Sequence, residues 1–115
     1  FPTRRSSDLG TGEGAGFNLN LPLAAGSSAA TWFGALDVAC ERIARYGADA
    51  LVVSLGLDTF AGDPISTFKL QGDDFSRLGS RLQALGLPTA FILEGGYAAA
   101  ELGHNAAAVI EGFES

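Results

Sequence analysis

One cysteine, one histidine, four prolines and few basic residues stand in a chain of 115, and each shortage narrows what the chain can be. With Cys40 alone, neither a disulfide framework nor a cysteine metal cluster can form within it. Seven basic residues against thirteen acidic ones leave a net charge of −6 and a pI of about 4.5. That balance argues against nucleic acid or an anionic membrane as the main partner, because both require a basic surface. It suits a cationic small molecule. No apolar run approaches the ~18 residues of a membrane span, and no signal-peptide pattern opens the chain, so a cytoplasmic location is the expectation. Few prolines, sixteen glycines and 47% apolar residues describe a globular chain. This length corresponds to one small domain or part of a larger one. An α/β unit of that size buries a core but leaves its sheet edges open unless something covers them.

Residues 1–9 are polar, aperiodic and unlike anything that follows. They read codon by codon as the end of a common sequencing adapter, so we expect a non-native, adapter-derived segment there and native sequence from 10–115 only. The next run, Gly10 to Gly16, holds a loose G-x-G-x-x-A at Gly10, Gly12 and Ala15. A dinucleotide fingerprint must follow a strand and open a helix. Nothing strand-like precedes this one, and residues 17–23 after it alternate apolar with polar. A glycine loop entering a half-buried strand is the favoured reading.

Ser27 or Ser28 is placed to cap a first helix. Its apolar stripe is expected at Trp32, Leu36 or Ala35, Ala39, Ile43 and Tyr46, with Gly47 as the stop. Residues 50–55 form a short β-branched run that reads as a strand buried on both faces. Asp73 is expected to cap a second helix carrying Phe75, Leu78, Leu82 and Leu85, ended by Gly86. A strand at 89–93 and a third helix at 98–114, striped by Leu102, Ala106, Val109, Ile110 and Phe113, complete the order. Strand–helix repeated three times predicts an α/β fold, a three-layer α/β/α arrangement with parallel strands.

The chemistry gathers at two strand ends. In open α/β sheets, ligands and catalytic groups collect at the carboxyl edge of the strands. Asp58 and Asp63 follow the strand 50–55; Glu94-Gly95-Gly96-Tyr97 follows the strand 89–93. If the strands are parallel, both loops open on one rim. Three roles stand open for Asp58: ligand, acid/base, or a cap on loop amides. Asp63 precedes proline and reads first as a turn opener. Glu94 is a ligand, an acid/base or an anchor. Tyr97 either donates its phenolic hydroxyl to a polarised carbonyl or covers the core edge. His104 lies inside the last helix and reads as a surface or packing residue.

The run Ser54-Leu55-Gly56-Leu57-Asp58-Thr59-Phe60-Ala61-Gly62-Asp63-Pro64-Ile65-Ser66, then Phe68-Lys69-Leu70, then Leu93-Glu94-Gly95-Gly96-Tyr97, resembles the C-terminal portion of the histone deacetylase superfamily. Within it the similarity is to the bacterial acetylpolyamine amidohydrolases. The N-x-N-x-P at 18–22 also fits, and the resemblance runs in order through 10–115. It implies a zinc-dependent amide hydrolase of the arginase–deacetylase fold. Asp58 is then one of three zinc ligands, Tyr97 stabilises the oxyanion, and Gly95 and Gly96 lie beside the acyl pocket. The resemblance further implies a cationic acetylated small-molecule substrate, and it leaves room for a monovalent cation and for homo-oligomers of the whole protein. The other two ligands, an aspartate and a histidine two residues apart, and the histidine pair that handles the proton, match nothing in this sequence. The chain by itself is therefore expected to be inactive. Two competing readings stand: an acetyl-lysine protein deacetylase, and a non-hydrolytic α/β module whose acidic loop holds a divalent ion such as magnesium.

Overall fold

The structure, a computed structural model, describes residues 11–115. The expectation of a non-native segment at 1–9 lies outside the described residues, as does Gly10. After a short 3-10 turn at Gly12–Gly14, the first helix, α1, runs Ala29–Tyr46. It starts where Ser28 Oγ accepts the Thr31 amide at 3.2 Å, supplying one of the acceptors a helix start lacks. It stops at Gly47, which takes the left-handed conformation (φ 77°) that glycine enters without a Cβ clash.

Two strands follow, β1 (Leu51–Leu55) and β2 (Thr89–Leu93), joined through α2 (Gly72–Gln83). They pair in parallel, from Leu51 opposite Thr89 to Leu55 opposite Leu93. The last helix, α3, spans Ala99–Glu114. One face of the strand pair, carrying Val53, Leu55 and Phe91, meets the helices, and the Phe91 ring stands edge-on to Phe113 at 5.3 Å. Leu57, Leu70, Phe75, Leu78, Leu82 and Val109 fill the same core. The opposite face is open to solvent, Val52 being 65% exposed and Ile92 51%, so the strand expected to be buried on both faces is covered on one only. The described residues therefore hold the sheet and one helical layer of the expected three-layer α/β/α architecture.

α2 and α3 approach backbone to backbone. A methyl group on Gly79 would overlap the Val109 carbonyl oxygen, and one on Gly112 the Ser76 carbonyl oxygen. Ser80 Oγ, on the same face, donates to the Gly112 carbonyl at 3.1 Å.

Five further local expectations are corrected. Residues 17–23 form no strand. Alternation yields a strand only where a neighbour offers a ladder. Here the segment is drawn to the end of α1 instead: Phe17 stands edge-on to Tyr46 at 6.0 Å, and the Arg42 guanidinium donates to the Gly16 carbonyl. The buried side of α1 carries Phe33 and Cys40, while Tyr46 is 67% exposed. The helix has two apolar sides. α2 selects the one bearing Phe33, over which the Arg77 guanidinium stacks at 3.9 Å, flanked by an Arg81–Asp37 pair at 2.8 Å. The N-cap of α2 is Gln71, not Asp73, because the Asp74 carboxylate reaches back to the Gln71 amide at 2.9 Å and closes a capping box. That helix also ends at Gln83, ahead of Gly86. On α3, Asn105, Val109 and Gly112 are buried and Ile110 is exposed, since the close crossing with α2 turns the Gly112 side inward.

Candidate active site

The two loops of interest are extensions of the same ladder. Past the strand ends, the Glu94 amide donates to the Leu55 carbonyl at 3.0 Å and the Leu57 amide to the Gly95 carbonyl at 2.7 Å. Parallel strands place both carboxyl ends on one edge, and these bonds carry the pairing two residues beyond it, to Leu57 and Gly95. The Asp58 carboxylate then lies between the two loops. A methyl group built on Gly56 would stand 2.8 Å from Asp58 Oδ1, and one on Gly95 2.8 Å from Oδ2. Glycine at both positions is what leaves space for the carboxylate. Asp58 is half-buried, and among the described residues nothing donates a hydrogen bond to its oxygens. Of the three roles open to it, a cap on loop amides is thereby removed.

Gly96 has φ 146°, a region that side chains rarely enter, and a Cβ there would strike Leu102 Cδ1 at 2.8 Å and Leu57 Cβ at 3.1 Å. It seats the loop on the core. Tyr97 follows on the same rim, 53% exposed. Glu94 is exposed, and the structure uses its amide rather than its carboxylate. His104 is exposed on α3.

Asp63 does more than open a turn. It is 6% exposed. Its Oδ1 accepts the Ile65 amide at 2.9 Å and the Ser66 amide at 3.1 Å, which is the turn its position before proline suggests. Its Oδ2 accepts the Tyr97 amide at 2.8 Å. Burial pushes the carboxyl upward, but the amides of Ile65, Tyr97, Ser66 and Ala98 outweigh it and hold the group below the usual carboxylate range. The turn half of this role is legible from Asp-Pro; the half that reaches the other loop has no local signal.

Among the described residues, no group of three or more His, Cys, Asp or Glu side chains is placed to hold a metal. One unpaired carboxylate, cradled by two glycines at a strand end, fits a single oxygen ligand of a site completed by other residues. A separate groove of about 730 Å³, lined by Phe17, Ile43, Tyr46 and Leu51 among others, opens by the amino end of β1 and contains none of these residues.

Compared with known proteins, the sequence matches the histone deacetylase domain over residues 1–113. The chain belongs to the histone deacetylase family. Acetylpolyamine amidohydrolase 2 of Pseudomonas aeruginosa is 53% identical to this family member over 109 residues, 95% of this chain and 32% of the relative. The acetylpolyamine amidohydrolase of Mycoplana ramosa is 44% identical over 93% of the chain and 31% of its own length. The crystal structure of acetylpolyamine aminohydrolase from Burkholderia pseudomallei superposes with a TM-score of 0.92 at 42% identity, covering 96% of this chain and 32% of that one. The chain thus has the histone deacetylase fold and spans about a third of the length of the relatives it matches.

Proposed function

We propose that this chain is the C-terminal part of a bacterial, cytoplasmic, zinc-dependent amidohydrolase that removes acetyl groups from acetylated polyamines. The observation that carries the reading is the Asp58 carboxylate: without a hydrogen-bond donor among the described residues, and held between Gly56 and Gly95, the latter two positions before Tyr97. The names and identities of the bacterial relatives support the substrate class, and a net charge of −6 suits a cationic substrate.

Asp58 supplies one zinc ligand; the aspartate and histidine that complete the set are not among these 115 residues. Zinc, when bound, polarises the acetyl carbonyl and acidifies the attacking water. Tyr97 donates its hydroxyl to the carbonyl oxygen as that oxygen gains charge. Gly95 and Gly96 leave room beside it for the acyl group. Because the donor acts on charge that develops only in the transition state, its loss lowers kcat more than it raises KM.

The test is a substrate competition in the full-length protein. Acetylputrescine should be preferred over an acetyl-lysine peptide, and Tyr97→Phe should lower kcat on the order of 10²–10³-fold. Preference for the peptide would transfer the assignment to protein deacetylation; an unaffected Tyr97→Phe enzyme would remove Tyr97 from the mechanism. The 115-residue chain alone should hydrolyse no more than its own Tyr97→Phe variant.

A further inference from the structure

Tyr97 presents a structural problem. Its side chain makes no hydrogen bond or ring contact among the described residues, and it is 53% exposed. Nothing on the ring fixes where the hydroxyl can reach. The backbone must do so, and the residue before it is Gly96, whose φ of 146° belongs to the most permissive residue type. A glycine hinge next to a free ring would let the phenol sweep the rim. On the amino side, the loop is tied by the Leu57 amide on the Gly95 carbonyl. On the carboxyl side, the tie is the buried Asp63, through the amide of Tyr97. The same carboxylate grips the Ile65 and Ser66 amides, so one side chain clamps the Asp58 loop and the Tyr97 loop together.

We infer that Asp63 is a positioning residue, fixing the Tyr97 backbone so that its hydroxyl meets the reacting carbonyl. The inference rests on the functional reading above. Charge-assisted bonds to amides are about twice as strong as neutral ones and directionally narrow, which suits a clamp. A displacement of about 1 Å in a catalytic group can cost on the order of 10² in rate, so a loosened loop should register as lost turnover.

Asp63→Asn is the discriminating variant. It is isosteric and its amide oxygen can keep the Ile65 and Ser66 bonds, but its NH₂ then faces the Tyr97 N–H, donor against donor. In the full-length protein, kcat should fall on the order of 10²-fold with KM little changed. In a Tyr97→Phe background the same substitution should cost less than about threefold, since two residues acting through one group are not additive. An equal loss in both backgrounds, or no loss in the first, overturns the inference. Amide hydrogen exchange gives a readout independent of turnover and of variant folding. In the wild type, Tyr97 N–H should be protected although its residue is exposed; exchange at the free-peptide rate overturns the clamp. If the wild-type protein fails to hydrolyse acetylated polyamines, the functional reading fails while exchange at Tyr97 still decides the clamp.

Discussion

Asp63 is an almost fully enclosed charge, and that makes it sensitive to acid in a defined direction. Its carboxyl is pushed up by burial and held below the ordinary range by the backbone amides around it, those of Ile65, Tyr97 and Ser66 foremost. A group whose folded value is depressed stabilises the native state above its unfolded value, about 3.9, and loses that contribution as pH falls through the folded value. Protonation sets an O–H against amide N–H groups that need an acceptor. The wild-type advantage over Asp63→Asn in urea midpoint should therefore be full at pH 6 and shrink as the pH drops below about 4. A difference that stays constant to pH 3 would show that the charge is not what holds the loops. Cys40 is buried, and burial pushes its thiol upward, with Arg81 opposing and Asp37 assisting. That is the setting of an inert structural thiol, consistent with its place in the core.

At the scale of elements, the α2–α3 crossing is set by two glycines. Their Cα atoms sit where any side chain would strike backbone, not a yielding side-chain tip. Gly79→Ala or Gly112→Ala should cost at least the ~1–3 kcal/mol typical of overpacking, read as a lowered denaturation midpoint of the full-length protein. Gly103 lies on the same helix with nothing within 4 Å of a built Cβ, so Gly103→Ala should stabilise by about 0.5–1 kcal/mol through helix propensity alone. Opposite signs within one helix separate close packing from propensity; equal signs would contradict the crossing described here. The Arg81–Asp37 pair, partly exposed on both sides, should contribute little by comparison.

For the whole molecule, the notable feature is what lies uncovered. Val52 and Ile92 form an apolar sheet face at 65% and 51% exposure, and Leu93 is 61% exposed at the rim. Two parallel strands also leave open edges. No helix of the described residues is long and apolar enough to cross a membrane, so a bilayer-spanning helix does not account for this surface. Expressed alone, the chain should self-associate, and Val52→Lys with Ile92→Lys should shift it towards monomer in light scattering. A monodisperse monomer without those changes would mean the face is tolerated in water.

Sequence alone determined the pieces, because they depend on near neighbours. The β-branched run at 51–55, the Phe75–Leu78–Leu82 spacing of α2, the Ser28 cap and the Gly47 stop each follow from contacts within a few residues. It also placed Asp58 and Tyr97 at strand ends, where parallel pairing brings them to one rim. Only the tertiary structure decided the rest. Which side of α1 is buried depended on Arg77 of another helix, and residues 17–23 lacked a strand partner to make their alternation count. The Asp63–Tyr97 bond spans 34 positions. Periodicity and caps act over one or two turns of chain; a carboxylate that finds its amide across two loops is specified only once the sheet has set those loops side by side.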